Sequence, residues 1–179
     1  MKLDPVTLEI LWQRLVSAAD EAGAALLRSS FSTIVRESFD FACIITDTRG
    51  RSIAQASESI PSFIGTLPRT VKHFLRHFPL ETLREGDVLV TNDPWMGTGH
   101  LPDLSLCKPI FLDGRVIGMV ATTAHAPDMG GKTGSADVRD VFEEGLQVPM
   151  MKLVDAGRVN ETLVAMLRTN TRVPDQVIG

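Results

Sequence analysis

Apolar residues recur at spacings of three and four in two stretches of the chain, a pattern typical of amphipathic helices. The first stretch predicts a helix over about residues 5–29, where Asp4 supplies a capping carboxylate and Pro5 fits the first helical position. The second stretch predicts another amphipathic helix, which ends near Pro79. The two stripes consist of Leu8, Leu11, Leu15, Ala18, Ala22 and Ala25, and of Leu67, Val71, Phe74, Leu75 and Phe78.

Short apolar runs between turn residues predict strands. Residues 40–46 and 51–54 flank a turn and predict one β-hairpin. Residues 104–112 and 115–122 are joined by an Asp-Gly pair, and such a pair between two apolar runs is a strong hairpin signal. The sequence therefore predicts at least two antiparallel hairpins.

The remaining segments complete the expected architecture. We predict a loop over 60–65, a strand over 88–90, a short helical or irregular piece near 138–145 and a last helix at about 159–169. Hairpins combined with separate helices indicate an α+β fold, with antiparallel hairpins and a mixed sheet packed against amphipathic helices.

The composition is that of an ordinary globular protein and argues against several kinds of partner. The chain has 179 residues, of which 44% are hydrophobic and 22% charged, which suits one domain or a portion of a larger protein. A formal net charge of −4 argues against a nucleic-acid partner. We expect no membrane partner and a cytoplasmic protein, because no apolar run approaches the ~20 residues that span a bilayer and the start lacks a signal-peptide core.

Two turns each carry a histidine followed three residues later by an aspartate, namely His100 with Asp103 and His125 with Asp128. The predicted second hairpin relates these turns to each other. Asp103 lies ten residues before the Asp-Gly pair begins, and His125 lies eleven residues after it ends. A tight hairpin therefore brings Asp103 and His125 nearly opposite each other.

His100, Asp103 and His125 are candidate metal ligands. Imidazole nitrogen and carboxylate oxygen suit Zn²⁺, Mn²⁺ or Fe²⁺, and three protein ligands leave positions for water or substrate. Asp93 and Asp128 lie in the same turns, where either is a candidate for a further ligand, an acceptor that orients a histidine, or a general base. Each motif taken alone is also consistent with a simple capped turn.

Two other motifs have plainer interpretations. His73 and His77 lie four residues apart on the second predicted helix, but the basic residues around them indicate an exposed helix face. The glycine-rich stretch 130–134 lacks the first glycine of a phosphate-binding loop. Its backbone amides are consistent with an anion-binding nest beside Lys132, and equally with a solvated loop.

Seven blocks, in order along nearly the whole chain, carry a family resemblance. They are residues 36–43, 47–55, 60–68, 86–95, 99–103, 125–131 and 144–149. In these blocks the sequence resembles the hydantoinase B/oxoprolinase family. Because family subunits are much longer, we expect residues 1–179 to be the N-terminal, metal-binding portion of such a subunit.

The resemblance implies a divalent metal, manganese, zinc or iron, held by His100, Asp103 and His125. It also implies a hydantoinase A-type partner subunit, which uses ATP to phosphorylate a lactam or enol; ATP is therefore not bound by this chain. The B-type subunit then completes hydrolysis or carboxylation of the activated small molecule. We therefore expect a hetero-oligomeric enzyme that acts on cyclic amide C–N bonds, or a related carboxylase.

Three further residues receive predicted roles under this hypothesis. Asp128 is the candidate general base, and Asn92 and Lys132 are candidate substrate contacts. Two alternatives stay open: a mononuclear non-haem iron enzyme, whose metal is held by the same ligand types, and a non-catalytic module that serves subunit assembly.

Overall fold

The computed structural model describes residues 4–132 and 138–178. The helices are α1 (Pro5–Ser29), α2 (Thr33–Ser38), α3 (Pro61–His77), α4 (Glu161–Asn170) and α5 (Pro174–Ile178), with 3-10 turns at Leu80–Thr82 and Val141–Glu144. The strands are β1 (Phe41–Thr46), β2 (Ser52–Gln55), β3 (Val88–Thr91), β4 (Asp103–Leu112), β5 (Arg115–His125), β6 (Met151–Asp155) and β7 (Arg158–Val159). Among these residues no helix is both long and apolar enough to cross a membrane.

The seven strands form one sheet in the order β2-β1-β5-β4-β3-β6-β7. In the described part of the chain every neighbouring pair is antiparallel. The predicted α+β class is confirmed. The expected mixed sheet is corrected to an antiparallel one, because hairpin connections supply β1–β2, β4–β5 and β6–β7, and the longer connections also bring the chain back in the opposite direction.

Helices cover both faces of this sheet. Alternate residues of β1 point to opposite faces, so one set packs under α3 and the other under α1. The core under α3 includes Ala42, Ile44, Leu67, Val71, Phe74, Leu89, Cys107, Met119 and Ala121. The core under α1 includes Phe41, Cys43 and Ile45. A third cluster joins α4 and α5 to the sheet through Val90, Leu163, Leu167, Val177 and Ile178.

The first predicted helix is confirmed with its cap, since Asp4 accepts a hydrogen bond from the Thr7 backbone N at 3.0 Å. The predicted loop over 60–65 is wrong, because α3 already begins at Pro61, where a proline fits the first turn. Pro68 lies inside α3 without ending it. Strand β6 was not predicted. Its side chains are partly buried or exposed and do not alternate between buried and exposed positions, so the usual strand pattern is missing.

The β4–β5 hairpin is confirmed and extends further than predicted. Strand β4 begins at Asp103 and β5 continues to His125, so both residues belong to strand ends rather than to loops. The register shifts between Ile110 and Phe111, which leaves Ile117 of β5 without a partner on β4. This β-bulge sets which residues face each other at the far end of the hairpin.

Candidate metal centre

Asp103 and His125 are direct cross-strand partners at the end of the β4–β5 ladder. The turn is one residue nearer to Asp103 than to His125, and the bulge at Ile117 absorbs this difference. If Ile117 were paired in a regular ladder, Asp103 would face Ala124, and the His125 side chain would point to the opposite face of the sheet. The bulge therefore places both polar side chains on the face that α3 covers.

His100 completes the group from the turn that precedes β4. Its Nε2 lies 3.0 Å from Asp103 Oδ1, and His125 Nδ1 lies 3.0 Å from the same oxygen. The two imidazole rings are tilted, with centroids 5.1 Å apart. The hydroxyl of Thr98 donates to the other oxygen, Asp103 Oδ2, at 2.5 Å. Asp103 thus presents one oxygen to the two imidazoles while Thr98 holds the second.

The electrostatics of the group favour an ionised carboxylate. Burial opposes ionisation of Asp103, whose side chain is 2% exposed, but hydrogen bonds from His100, His125 and Thr98 outweigh it and lower the pKa of Asp103 to about 2. The hydrogen bond to Asp103 raises the pKa of His100, against the effect of burial. The site therefore holds a fixed negative charge beside two imidazoles.

These residues fit a divalent cation. One ligand atom from each of His100, Asp103 and His125 lies within 4.8 Å of the others, and in the described ranges no other group of this kind occurs. Donor atoms bound to one ion at about 2.1 Å lie roughly 3.0–3.4 Å apart, so the 3.0 Å separations need little adjustment. The side chain of His100 is 40% exposed, which leaves the group accessible from solvent.

Asp40 is a further acidic residue at this site, and it was not predicted from the sequence. Strand β1 pairs with β5, so the residue before Phe41 comes beside His125, and Asp40 Oδ2 lies 3.9 Å from His125 Nδ1. Burial raises the pKa of Asp40; the charge of His125 opposes this effect and that of Asp103 reinforces it. A cation between Asp40 and Asp103 would relieve the repulsion between the two carboxylates. An aspartate directly before an apolar strand was the available signal.

The buried side chain of Asn92 connects the His100 turn to the segment 146–148. Its side chain is 1% exposed, and Nδ2 donates to Leu101 O at 2.7 Å and to Leu146 O at 3.0 Å. Its Oδ1 accepts from Val148 N at 2.6 Å. The backbone uses all the polar groups of this amide, so the geometry favours structural support. The predicted substrate contact stays a prediction that the geometry does not favour.

The two aspartates that accompany the histidine turns in the sequence are engaged elsewhere. Asp128 is 4% exposed, and its carboxylate accepts hydrogen bonds from Gly130 N at 2.8 Å, from the Arg172 guanidinium at 2.7 Å and from the Arg172 backbone N. Although burial opposes it, these contacts lower the pKa of Asp128. Asp93 accepts from Trp95 N at 2.9 Å and caps its own turn. The role of Asp128 as a base stays a prediction.

Lys132 lies on the surface, where its Nζ is 3.1 Å from Glu143 Oε2. Its predicted contact with substrate is not tested by this ion pair and stays a prediction. Residues 133 and 134 of the suggested anion-binding nest lie outside the described residues.

A cavity of about 340 Å³ opens beside the His100 turn. Gly99 lines it next to His100, and Glu144 lines it while accepting a hydrogen bond from Leu101 N at 2.7 Å. Trp95, 87% exposed, and Arg139 form other parts of its wall. The cavity therefore offers space for a small molecule beside the turn that carries His100, whereas His125 lines a separate cavity of about 170 Å³.

Comparison with known proteins shows which family the chain belongs to. The profile described as hydantoinase B/oxoprolinase matches residues 4–179. The chain is 36% identical over 184 residues to the putative B-type D-/L-hydantoinase subunit of Pseudomonas sp. (strain NS671), covering 99% of this chain and 31% of that protein. It is 35% identical over 181 residues to 5-oxoprolinase 1 of Arabidopsis thaliana, covering 96% of this chain and 14% of that protein.

Solved structures share the fold. A nucleotide-free acetone carboxylase, from a study of ATP-dependent acetone carboxylation, aligns with a TM-score of 0.85 at 21% identity over 97% of this chain and 23% of that one. The ATP-dependent caprolactamase from Pseudomonas jessenii aligns with a TM-score of 0.82 at 27% identity over 96% of this chain and 30% of that one. The chain thus spans less than a third of these relatives. The match covers nearly the whole chain and confirms the predicted resemblance. This chain belongs to the hydantoinase B/oxoprolinase family.

Proposed function

We propose that this chain is the N-terminal, metal-binding portion of a hydantoinase B-type enzyme subunit that acts on a cyclic amide. The observation that carries the proposal is the cluster of two imidazoles and a carboxylate, with ligand atoms within 4.8 Å, in a member of this family. The names of the relatives support the substrate class, since they include a hydantoinase subunit and a caprolactamase.

His100, Asp103 and His125 would hold the metal, and Asp40 would lie beside it as a supporting carboxylate. The donor set is compatible with zinc, manganese or iron. A divalent ion at such a site polarises a carbonyl or phosphoryl oxygen, or makes a water molecule more acidic. Thr98 keeps Asp103 turned so that one oxygen faces the imidazoles. A role of Asp128 as general base stays a prediction, since its carboxylate is paired with Arg172 in this structure.

The substrate is proposed to be a small molecule activated by a partner. Both structural neighbours are described as ATP-dependent, while this sequence has no phosphate-binding loop. We therefore propose a hetero-oligomer in which an A-type subunit uses ATP and this subunit completes hydrolysis. In that step one water adds to the activated carbonyl carbon, and the ring C–N bond breaks as the nitrogen takes up a proton. A second water then hydrolyses the resulting acyl phosphate to the carboxylate and free phosphate. The cavity beside Gly99 would receive the molecule. Lys132 is a proposed contact to the part of the molecule that extends outside this cavity.

Metal content tests the proposal directly. Wild-type protein, His100→Ala and the control His73→Ala are loaded with Zn²⁺ or Mn²⁺, dialysed and assayed by mass spectrometry for bound metal. We expect about one ion per chain in wild type and in His73→Ala, and a negligible amount in His100→Ala. Equal, negligible metal in all three proteins would contradict the proposal.

The same preparations separate the alternatives. Oxygen consumption that depends on added Fe²⁺ would favour a non-haem iron enzyme. Stability unchanged by chelators, together with tight binding to an A-type subunit, would favour an assembly module. Hydrolysis of a lactam that requires ATP, the A-type subunit and His100 would support the proposed reaction.

A further inference from the structure

The sequence block 144–149 has no role in the proposed metal centre, yet its first residue contacts the turn that carries His100. Glu144 Oε2 accepts a hydrogen bond from the backbone N of Leu101 at 2.7 Å, across 43 residues of sequence. Leu101 follows His100 directly and is 1% exposed. A buried backbone donor that loses its partner is costly, so this contact constrains the turn.

The same block also holds the other side of Leu101. The carbonyl of Leu101 accepts from Asn92 Nδ2 at 2.7 Å, and Asn92 is itself held by Leu146 O and Val148 N. The peptide group before Leu101 is therefore held by Glu144, which belongs to the block. The peptide group after Leu101 is held by Asn92, which the block supports. The alternative contact within the turn is weak, because Asp103 N lies 3.4 Å from His100 O.

We propose that Glu144 is a positioning residue of the metal centre, which fixes the peptide after His100 and so holds this imidazole toward Asp103. The inference rests on the proposed metal site. His100 needs such support because it lies outside the sheet, whereas Asp103 and His125 are held in register by the β4–β5 ladder. Glu144 acts through the turn, and not as a ligand.

Metal affinity of matched variants tests this role. Glu144→Ala removes the acceptor, Glu144→Gln removes the charge but keeps an acceptor oxygen of the same shape, and Glu143→Ala removes a neighbouring carboxylate that pairs with Lys132. Competition with a chelating indicator measures the dissociation constant for Zn²⁺. We expect Glu144→Ala to bind about 10–100-fold more weakly, the typical cost of removing a supporting partner. Glu144→Gln and Glu143→Ala should stay within a few-fold of wild type.

A second measurement needs no metal. Hydrogen exchange followed by NMR on metal-free protein should show faster exchange of the Leu101 amide in Glu144→Ala, with wild-type protection in Glu143→Ala and largely restored protection in Glu144→Gln. Unchanged amides in β4 and β5 would show that the fold is intact. Should Glu144→Ala fail to fold, the isosteric Glu144→Gln still separates the hydrogen bond from the charge.

The outcomes distinguish this inference from the proposed function. Wild-type affinity in Glu144→Ala would overturn the positioning role, and so would a Glu144→Gln protein as weak as Glu144→Ala, since charge and not the hydrogen bond would then matter. If wild-type protein binds no metal, the proposed function fails. Hydrogen exchange then decides whether Glu144 orders the His100 turn, and an unchanged Leu101 amide overturns that as well.

Discussion

Two pairs of histidines occupy this fold, and among the described residues one of them lies with a carboxylate in a group that could hold a metal ion. His73 and His77 lie one turn apart on α3, a spacing compatible with metal binding. His100 and His125 are 25 residues apart in sequence, yet their ring centroids lie within 5.1 Å. Both pairs therefore have a spacing compatible with metal binding, on a helix in one case and across a hairpin in the other, and it is their surroundings that differ.

The two pairs differ in their neighbours. The imidazoles of His100 and His125 share a carboxylate oxygen of Asp103, and this contact raises the pKa of His100. Burial lowers the pKa of His73, and the charges of Arg76 and Arg69 lower it further. His77 stacks edge-on against Phe78. A cation is therefore favoured at the first pair and repelled at the second, so the surrounding charge and not the histidine spacing distinguishes a candidate metal site.

The largest expected effect comes from removing the shared carboxylate. Asp103→Asn keeps the size of the side chain but removes the negative charge and one acceptor, so we expect Zn²⁺ affinity to fall by more than about 100-fold, beyond the cost of losing a supporting residue. Titration with a chelating indicator measures it. His77→Asn provides the control and should bind metal as wild type does. Equal affinity in wild type and Asp103→Asn would place the metal elsewhere.

A comparable loss should follow from inserting one alanine after Ile117, the unpaired residue of the bulge. In a ladder that keeps its single bulge, the insertion pairs Asp103 with Ala124, and His125 points away from His100. We expect bound metal to be lost, as measured by mass spectrometry, while circular dichroism shows that the sheet persists. Deleting Ile117 is the control and should retain the metal, because the regular ladder it leaves still pairs Asp103 with His125. Retention of metal after the insertion would show that the register of the hairpin does not set the site.

The bulge also marks how far the sequence could predict the site. The spacing around the Asp-Gly turn brought Asp103 and His125 together, because a hairpin is local and its register follows from counting. Counting left a mismatch of one residue, and only the structure shows that Ile117 absorbs it. The same local logic predicted α1 and the β4–β5 hairpin.

Residues that reach the site through distant pairing were beyond prediction. Asp40 depends on the β1–β5 pairing, and Glu144 depends on a contact across 43 residues. Asn92 was named from the sequence as a substrate contact, but its support of the His100 turn depends on a contact across 56 residues. No local pattern encodes such contacts, since they arise when separate elements pack. The start of α3 was missed for a different reason, because Pro61 resembles a loop residue unless it is recognised as the first residue of a helix.

Asp40→Asn should have a smaller effect than Asp103→Asn. Asp40 Oδ2 lies 3.9 Å from His125 Nδ1, further than the 3.0 Å contacts of Asp103, so its contribution to the site is less direct. We expect Zn²⁺ affinity to fall about tenfold, at the lower end of the range for supporting residues. The same indicator titration measures it, with Asp20→Asn on α1 as the control. A loss as large as that of Asp103→Asn would make Asp40 an equal ligand.

The smallest expected effect concerns protonation in the metal-free protein. The pKa of His100 is raised above its ordinary value of 6.5 and that of His73 is lowered below it, so an NMR titration should show His100 gaining its proton first as the pH falls. Protonation of His100 adds stability that is fully present below pH 6.5 and is lost as the pH rises through the folded-state pKa. His73 does the reverse, because the unfolded chain binds a proton more readily there than the folded protein.

Urea unfolding of two variants measures the consequence. As the pH falls toward 5, His100→Gln should lose more stability than wild type, and His73→Gln should lose less, because each variant removes one of these opposite proton-binding differences. Both differences should vanish at a pH above both folded-state pKa values. Titration of the two imidazoles at the same pH, or in the reverse order, would mean that Asp103 does not distinguish the two pairs. The contrast between the sheet end and the helix would then rest on geometry alone.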